Sequence, residues 1–308
     1  MYLGEPSQQR GALIGGHKRK VPGGCDAGGD GVPVGSGPAV ILPPMLKSLA
    51  GGAFFGEVWG TGGPEVLVLH GWARTHGDFA KVVGPGSPGG SLATLAPDLP
   101  GFGATPSPPT PWGAADYASA LIPLLEGVLD DEAHGAEERG RPKPVVVLGH
   151  SRGGCIAVAL AAARPDLVRA LVLTGAPLVP RTGGRRKPAA RFRLAKGLQA
   201  FGLVGDERME RAKRRYGSAD YRAAEGIMRD VFVRMVNERY EDELAGLRCP
   251  VELVWGDDDS EVPVEVARAA QSKVPGATLT LCPGAGHLTP LTAPDALRAA
   301  VERALAPS

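Results

Sequence analysis

The chain has 308 residues, 43 % hydrophobic and 22 % charged, a composition typical of a folded protein with a large core rather than of a disordered chain. Its 34 basic and 33 acidic residues give a net charge of +1, which excludes attraction of the whole molecule to nucleic acid or to an anionic membrane. No apolar run approaches the roughly 18 residues of a membrane span and no secretory leader is visible, so we expect a cytoplasmic protein.

The first 44 residues differ in composition from the rest of the chain. They contain 11 Gly and 6 Pro, and their apolar residues follow no helical or strand period. Such a segment offers too little apolar surface to offset the entropy lost on ordering. We therefore expect residues 1–44 to form a disordered N-terminal tail.

From residue 45 onward, short β-rich runs alternate with helical patterns, which is typical of an α/β fold whose mostly parallel sheet has helices on both faces. We assign residues 45–177 and 247–308 to this core. The predicted strands are Ala53–Trp59, Val66–Leu69, Thr94–Pro97, Val145–Leu148, Leu171–Leu173, Val251–Trp255 and Thr278–Leu281. The predicted helices are Tyr117–Leu129, Gly153–Ala163, Val264–Ser272 and Pro294–Leu305.

Residues 178–246 interrupt this alternation of strands and helices. The segment carries helical patterns without a convincing strand, and it is longer than an ordinary connection, so we expect a helical lid laid on the sheet. Within it, residues 181–215 hold 12 Lys or Arg against 3 Asp or Glu. This charge fits either a solvated helical face or the attraction of an anionic substrate.

The strongest local signal lies where the strand Val145–Leu148 gives way to the helix that begins at Gly153. The connection reads Gly149-His150-Ser151-Arg152-Gly153, a G-x-S-x-G sequence in the strand–turn–helix context that this motif requires. A sharp turn of this kind holds its central residue in a strained conformation, and glycines on both sides avoid collisions with neighbouring backbone. The motif predicts that Ser151 is an exposed nucleophile.

A serine nucleophile requires a base, and the base requires a carboxylate that orients it. Among the six histidines, His287 fits best, because it follows the last predicted strand in Gly284-Ala285-Gly286-His287, where glycines can place an imidazole over the strand ends. The other histidines lie in the tail, in a charged stretch, in the loop after Val66–Leu69, or beside Ser151, where the ring should point elsewhere.

The carboxylate should follow another strand, and Val251–Trp255 leads into the acidic run Asp257-Asp258-Asp259-Ser260-Glu261. The run lacks the alternating ligands and central glycine of a calcium loop, so we expect no metal there. Three consecutive aspartates cannot all point inward. The residues alone leave open which of the three orients the imidazole.

Taken in chain order, the motifs strand-HG, DLPGFG, strand-GHSRGG, WGxxDxxVP and GxGH resemble the α/β-hydrolase superfamily over about residues 52–305. The resemblance implies that Ser151, Asp259 and His287 serve as nucleophile, acid and base. It selects Asp259 because the family's acid lies three residues after the glycine and three before the valine of this motif. It also assigns an oxyanion hole to the backbone N–H groups of Trp72 and Arg152.

Nothing in the sequence indicates a cofactor. The chain has no P-loop and no complete G-x-G-x-x-G after a strand. Its four cysteines are scattered without a CxxC or Cys/His pairing, so we expect neither a metal site nor a disulfide framework. The nucleophile is a serine, which argues against the haloalkane dehalogenases and epoxide hydrolases of the superfamily, because those enzymes use aspartate.

These residues predict a cofactor-independent serine hydrolase that cleaves a small carboxylic ester through an acyl-enzyme. C–C bond hydrolase, peptidase and lyase activities would use the same three residues. A small-molecule receptor that keeps the triad is the alternative from another class. The expected partner is a small-molecule substrate, with no nucleic acid and no membrane span, and the sequence singles out no substrate-binding residues.

Overall fold

The computed structural model describes residues 46–131, 143–180 and 219–307. An eight-stranded sheet runs through them in the order β1-β2-β4-β3-β5-β6-β7-β8. The strands are β1 (Lys47–Leu49), β2 (Phe54–Trp59), β3 (Val66–Leu69), β4 (Thr94–Asp98), β5 (Val145–His150), β6 (Val168–Thr174), β7 (Val251–Gly256) and β8 (Thr278–Cys282). Pairing is antiparallel where β2 meets β1 and β4, and parallel between all the other neighbours.

The central strands β3 and β5 are continuous apolar runs that are buried at every position, as parallel strands covered on both faces must be. They pair in parallel with Leu67 opposite Val147. Because successive side chains point to opposite faces, these two residues join one core while Val66 and Val146 join the other. The alternation therefore gives each face of the sheet its own apolar layer.

Helices cover both layers. The α-helices of the described residues are α1 (Ala114–Asp131), α2 (Arg152–Ala163), α3 (Ala219–Ala223), α4 (Gly226–Asn237), α5 (Glu241–Ala245), α6 (Val264–Gln271), α7 (Thr289–Thr292) and α8 (Pro294–Leu305). Leu121 of α1 and Ile156 of α2 lie in the first core, and Leu297 of α8 lies in the second. The predicted α/β fold, a mostly parallel sheet with helices on both faces, is confirmed. In the described ranges no helix is both long and apolar enough to cross a membrane.

The observed strands and the predicted ones differ at one edge of the sheet. All seven predicted strands are present, with ends that shift by at most three residues, but β1 was not predicted. It is an edge strand of three residues in which Lys47 and Ser48 are exposed. So short a strand has too few side chains to show an alternating pattern.

Part of the predicted division of the chain lies outside the described residues. This applies to the tail, residues 1–44, and to the basic stretch 181–215 of the predicted lid. Residues 219–246 of that lid contain α3, α4 and α5, and Val231 and Met235 of α4 are buried in the first core. The described portion is therefore helical and packed, while its role as a lid stays a prediction.

The turn between β5 and α2 brings three backbones into contact. A Cβ on Gly149 would lie 2.6 Å from the Cα of Gly154, and a Cβ on Gly153 would overlap the carbonyl oxygen of Leu69 in β3. Neither position has room for a side chain. The glycines of the G-x-S-x-G motif are thus required by the close packing of α2 on the sheet.

We expect Gly153→Ala to destabilise the fold, because the new methyl group can be accommodated only if α2 moves away from β3. The free energy of unfolding should fall by about 2 to 3 kcal/mol, and the Tm by roughly 4 to 12 °C. Gly127→Ala is the matched control, since Gly127 is exposed on α1 with open space around it. That variant should be neutral or more stable by up to about 1 kcal/mol. Equal melting temperatures for the two variants would contradict the packing argument.

Candidate active site

Ser151 lies on the sharp turn between β5 and α2. Its backbone has φ 51° and ψ −118°, a strained conformation for a residue with a side chain. Two hydrogen bonds hold the turn: the Ser151 N–H donates to the Thr174 carbonyl oxygen (2.9 Å), and the Gly154 N–H donates to the Ser151 carbonyl oxygen (3.0 Å). The turn places Ser151 at the carboxyl ends of the parallel strands.

The three predicted catalytic residues meet at the carboxyl ends of these strands. The Oγ of Ser151 lies 3.2 Å from Nε2 of His287, and Nδ1 of His287 lies 2.9 Å from Oδ2 of Asp259. A carboxylate accepts hydrogen bonds, so Nδ1 carries the imidazole proton and Nε2 presents its lone pair to the serine hydroxyl. The arrangement can move a proton from the hydroxyl to the imidazole.

Among the three consecutive aspartates, only Asp259 points into the site. Its Oδ1 accepts the backbone N–H groups of Glu261 (2.9 Å) and Val262 (2.8 Å), which leaves Oδ2 for His287. Asp257 is exposed and accepts the N–H of Gly284, and Asp258 is also exposed. The structure therefore brings together the residues that the resemblance implied, and one turn of backbone fixes the carboxylate.

The two backbone N–H groups predicted to form an oxyanion hole lie beside the nucleophile. A Cβ built on Gly71 would lie 3.2 Å from the Cβ of Ser151, so the loop that carries Trp72 passes next to the turn. Arg152 is the first residue of α2, and its N–H is one of the donors that a helix leaves unpaired. Within the described residues, neither N–H donates to a backbone acceptor. The described part of the chain thus leaves both N–H groups without a backbone acceptor, as the predicted oxyanion hole requires.

His70 fixes the loop that carries Trp72. Its Nδ1–H donates to the carbonyl oxygen of Gly71 (2.8 Å), and its Nε2 accepts the N–H of Leu99 (2.8 Å). Complete burial lowers the pKa of His70 to about 4, so the imidazole is neutral near pH 7 and both bonds keep their direction. The loops after β3 and β4 are thereby tied together.

Aromatic side chains line the site beside the loop that carries Trp72. The ring of Trp72 packs edge-on against Phe102 and Phe232, with centroids 4.9 and 5.0 Å apart. Phe102 follows β4, whereas Phe232 belongs to α4 of the predicted lid. Met228, one turn earlier on α4, packs against Gly101, whose φ of +92° and lack of a side chain admit it. Helix α4 thus supplies an apolar wall next to the predicted oxyanion donors.

The sequence did not assign a role to two residues that contact the base. The Nε2 of His150 lies 3.0 Å from the carbonyl oxygen of His287. The Oε2 of Glu261 lies 3.7 Å from Nε2 of His287, and its side chain is 68 % exposed. His150 directly precedes Ser151 and Glu261 lies two residues after Asp259, and this proximity in sequence was the available signal, although it does not fix where a side chain points.

The described part of the chain offers no cluster of three or more His, Cys, Asp or Glu side chains that could hold a metal ion. Its cysteines do not resemble activated nucleophiles either. Burial raises the pKa of the Cys155 thiol to about 11, so the thiolate is not populated near pH 7. Ser151, in contrast, has an imidazole nitrogen within 3.2 Å of its hydroxyl oxygen.

The profile of the Alpha/beta hydrolase family matches residues 66–300, from β3 into α8. The chain belongs to the alpha/beta hydrolase family. The matched region contains Ser151, Asp259 and His287, and it confirms the family that the sequence motifs predicted.

Individual relatives of this alpha/beta hydrolase carry hydrolase names. It is 33 % identical over 183 residues to Lipase LipV of Mycobacterium tuberculosis, a match that covers 59 % of the chain and 63 % of the lipase. It is 30 % identical over 245 residues to pimeloyl-(acyl-carrier protein) methyl ester esterase of Chromobacterium violaceum, covering 73 % and 87 %. The chain thus spans less than two thirds of the length of the lipase.

Solved structures share the fold of this hydrolase. A thermophilic esterase from Thermogutta terrifontis superposes with a TM-score of 0.58 at 22 % identity, over 85 % of the chain and 97 % of the esterase. A hydrolase from Pseudomonas aeruginosa gives 0.60 at 18 % identity, over 86 % and 98 %. At these identities the likeness shows the fold.

We expect Asp259→Asn to lower ester turnover by at least about 100-fold, with little loss of stability. An asparagine oxygen can still accept the N–H groups of Glu261 and Val262, but its NH₂ group would face Nδ1 of His287 and favour the tautomer protonated on Nε2. Asp258→Asn changes an exposed neighbour of Asp259, and its ester turnover should stay within about twofold of the parent's. Initial rates and melting curves of both variants test this, and a larger loss in Asp258→Asn would show that the acid is misassigned.

Proposed function

We propose that this alpha/beta hydrolase is a cofactor-independent serine hydrolase that cleaves small carboxylic esters through a Ser-His-Asp acyl-enzyme mechanism. The observation that carries the proposal is the chain of contacts from Ser151 Oγ to His287 Nε2 (3.2 Å) and from His287 Nδ1 to Asp259 Oδ2 (2.9 Å). The family match and the relatives named lipase and esterase support the same class of activity.

In the first half of the proposed reaction, Ser151 Oγ forms a bond to the carbonyl carbon while His287 Nε2 takes the hydroxyl proton. The carbonyl oxygen becomes an oxyanion, which the N–H groups of Trp72 and Arg152 would stabilise by on the order of 3 kcal/mol each. Collapse of the intermediate breaks the bond to the leaving alcohol. His287 returns its proton to that alcohol, and the acyl group stays on Ser151.

In the second half, water replaces the alcohol. His287 takes a proton from the water as its oxygen bonds to the acyl carbon, and the same N–H groups hold the second oxyanion. The bond to Ser151 Oγ then breaks, the serine recovers its proton from His287, and the carboxylic acid leaves. Throughout both halves, Asp259 keeps the imidazole in one tautomer and stabilises its protonated form.

The surroundings of the triad support a preference among esters. Trp72, Phe102 and Phe232 offer an apolar wall beside the predicted oxyanion donors, which suits an apolar substituent on the carbonyl carbon. Glu261 places a carboxylate near Nε2 of His287, the atom that must reach the leaving alcohol. A second negative charge on the substrate at that point would be repelled.

We expect Ser151→Ala to leave the fold intact and to lower turnover of p-nitrophenyl acetate and butyrate by about 10³-fold or more, since an oxyanion hole without a nucleophile retains only residual catalysis. The parent should react with a fluorophosphonate probe, and the variant should not. Undiminished turnover in a folded variant would refute the mechanism. A parent protein that binds esters without turnover would instead favour the receptor alternative.

We expect Glu261→Gln to change the preference for substrate charge. The kcat/KM for an ester whose leaving alcohol carries a carboxylate should rise two- to fivefold relative to a neutral ester of the same size, a small effect because Glu261 is exposed and screened. The gain should shrink as salt is raised from 0.05 to 0.5 M. Glu265→Gln is the matched control, because it removes the same charge at an exposed position on α6. The same ratio in both variants would remove Glu261 from substrate selection.

A further inference from the structure

The imidazole of His150 lies buried between two loops of the site. It is the last residue of β5, directly before Ser151, and it is only 1 % exposed. On one side, its Nε2 lies 3.0 Å from the carbonyl oxygen of His287, and the two rings are 4.9 Å apart. On the other side, a Cβ on Gly71 would lie 2.9 Å from its Nδ1. One side chain therefore contacts the loop of the base and the loop of the predicted oxyanion donor.

We infer that His150 is a positioning residue, which sets His287 and the Trp72 loop at their distances from Ser151. This inference rests on the proposed function. Its hydrogen bond goes to the backbone carbonyl of His287 rather than to a reacting atom, so it acts through the backbone.

The hydrogen bond to His287 gives the inference its first support. Within the described residues, no other donor reaches the His287 carbonyl oxygen. The residues before it are held from elsewhere: the Gly284 N–H donates to Asp257 (2.7 Å), the Asp258 N–H donates to the Ala285 carbonyl oxygen (3.0 Å), and the Thr289 hydroxyl donates to the Gly286 carbonyl oxygen (3.3 Å). At the His287 carbonyl itself, the described hydrogen bond comes from His150, next to the turn between β5 and α2. A displaced carbonyl would carry the imidazole away from Ser151 Oγ.

The protonation state of His150 gives the second support. Burial lowers its pKa to about 4, so the ring is neutral near pH 7 and has one N–H, on Nε2. Its Nδ1 is buried without a partner in the described part of the chain and faces the backbone of Gly71. The position thus requires a flat ring with a single donor on the side of His287. Phenylalanine retains the ring without the donor, and glutamine retains a donor without the ring.

The absence of a side chain at Gly71 gives the third support. A methyl group there would press on His150 at 2.9 Å and on the Cβ of Ser151 at 3.2 Å. Real Cβ atoms rarely approach neighbours this closely, so either the ring or the Trp72 loop would have to move. The contact is tight enough to hold the loop against the nucleophile turn.

The experiment compares the parent with His150→Phe, His150→Gln and Gly71→Ala, using a neutral p-nitrophenyl ester. We expect His150→Phe to lower kcat by 10- to 100-fold with KM within threefold, because catalytic geometry is lost while the apolar wall remains. His150→Gln should recover at least a third of the lost activity on a logarithmic scale. Gly71→Ala should also lower kcat more than it changes KM. Rates of fluorophosphonate labelling should follow kcat in all three variants.

A destabilised core could also reduce activity, and Val301→Ala is the control for that effect. Val301 is fully buried in the second core, on α8 and away from the triad. Its loss should lower the Tm as much as the His150 variants do, with kcat within twofold of the parent.

Parent kcat in both folded His150 variants would overturn the inference and leave the proposed hydrolase intact. Equal loss of kcat in His150→Phe and His150→Gln, without rescue, would likewise overturn it. A parent that neither hydrolyses esters nor reacts with the probe would overturn the proposed function, and this inference with it.

Discussion

The close approach of α2 to the sheet is the constraint on which the whole site depends. Gly149 and Gly153 have no side chains where their Cα atoms meet the backbone of Gly154 and Leu69. This contact lets the chain reverse around a single residue and holds Ser151 at φ 51°. Such strain, of order 1 to 3 kcal/mol, persists only when the surrounding packing determines it. The hydroxyl of Ser151, the predicted nucleophile, is therefore positioned by the apolar core, through β5 and α2.

The ends of neighbouring parallel strands deliver the other parts of the site. Asp259 follows β7 and His287 follows β8, while β6 lies between them and the nucleophile strand. Gly175, directly after β6, has no side chain and so leaves space for the His287 imidazole. A Cβ at this position would lie 3.0 Å from the His287 ring and 3.4 Å from Asp259 Oδ2. Its neighbour Thr174 accepts the N–H of Ser151. One strand end thus supports the turn and makes room for the imidazole.

The sequence predicted those features that depend on local patterns. Continuous Val and Leu runs marked the buried strands, and the glycines around Ser151 marked the turn, because close packing excludes side chains there. It could not predict β1, which is too short to show a period, nor the contacts of Phe232 and Met228. Helical spacing shows only that these apolar residues share one face of the helix. Which of them meets Trp72 depends on how α4 packs against the loops after β3 and β4, and this is set by long-range packing.

Three histidines near the site show why residue type alone assigns no role. His70 follows the buried strand β3 and His150 ends the buried strand β5, whereas His287 lies in the loop after the partly exposed strand β8. All three lie within a few residues of the site's glycines. Their partners separate them. His70 accepts one backbone N–H and donates to a carbonyl, whereas His150 donates to a carbonyl and accepts no hydrogen bond from the residues that the structure describes. Both are fully enclosed, and enclosure keeps them neutral near pH 7. His287 instead faces a carboxylate on one nitrogen and a hydroxyl on the other, the one environment of the three in which a proton can be received and stabilised. The imidazoles of His70 and His150 therefore hydrogen-bond to the backbone of neighbouring loops, whereas that of His287 is a candidate base. The difference lies in the groups that surround each ring.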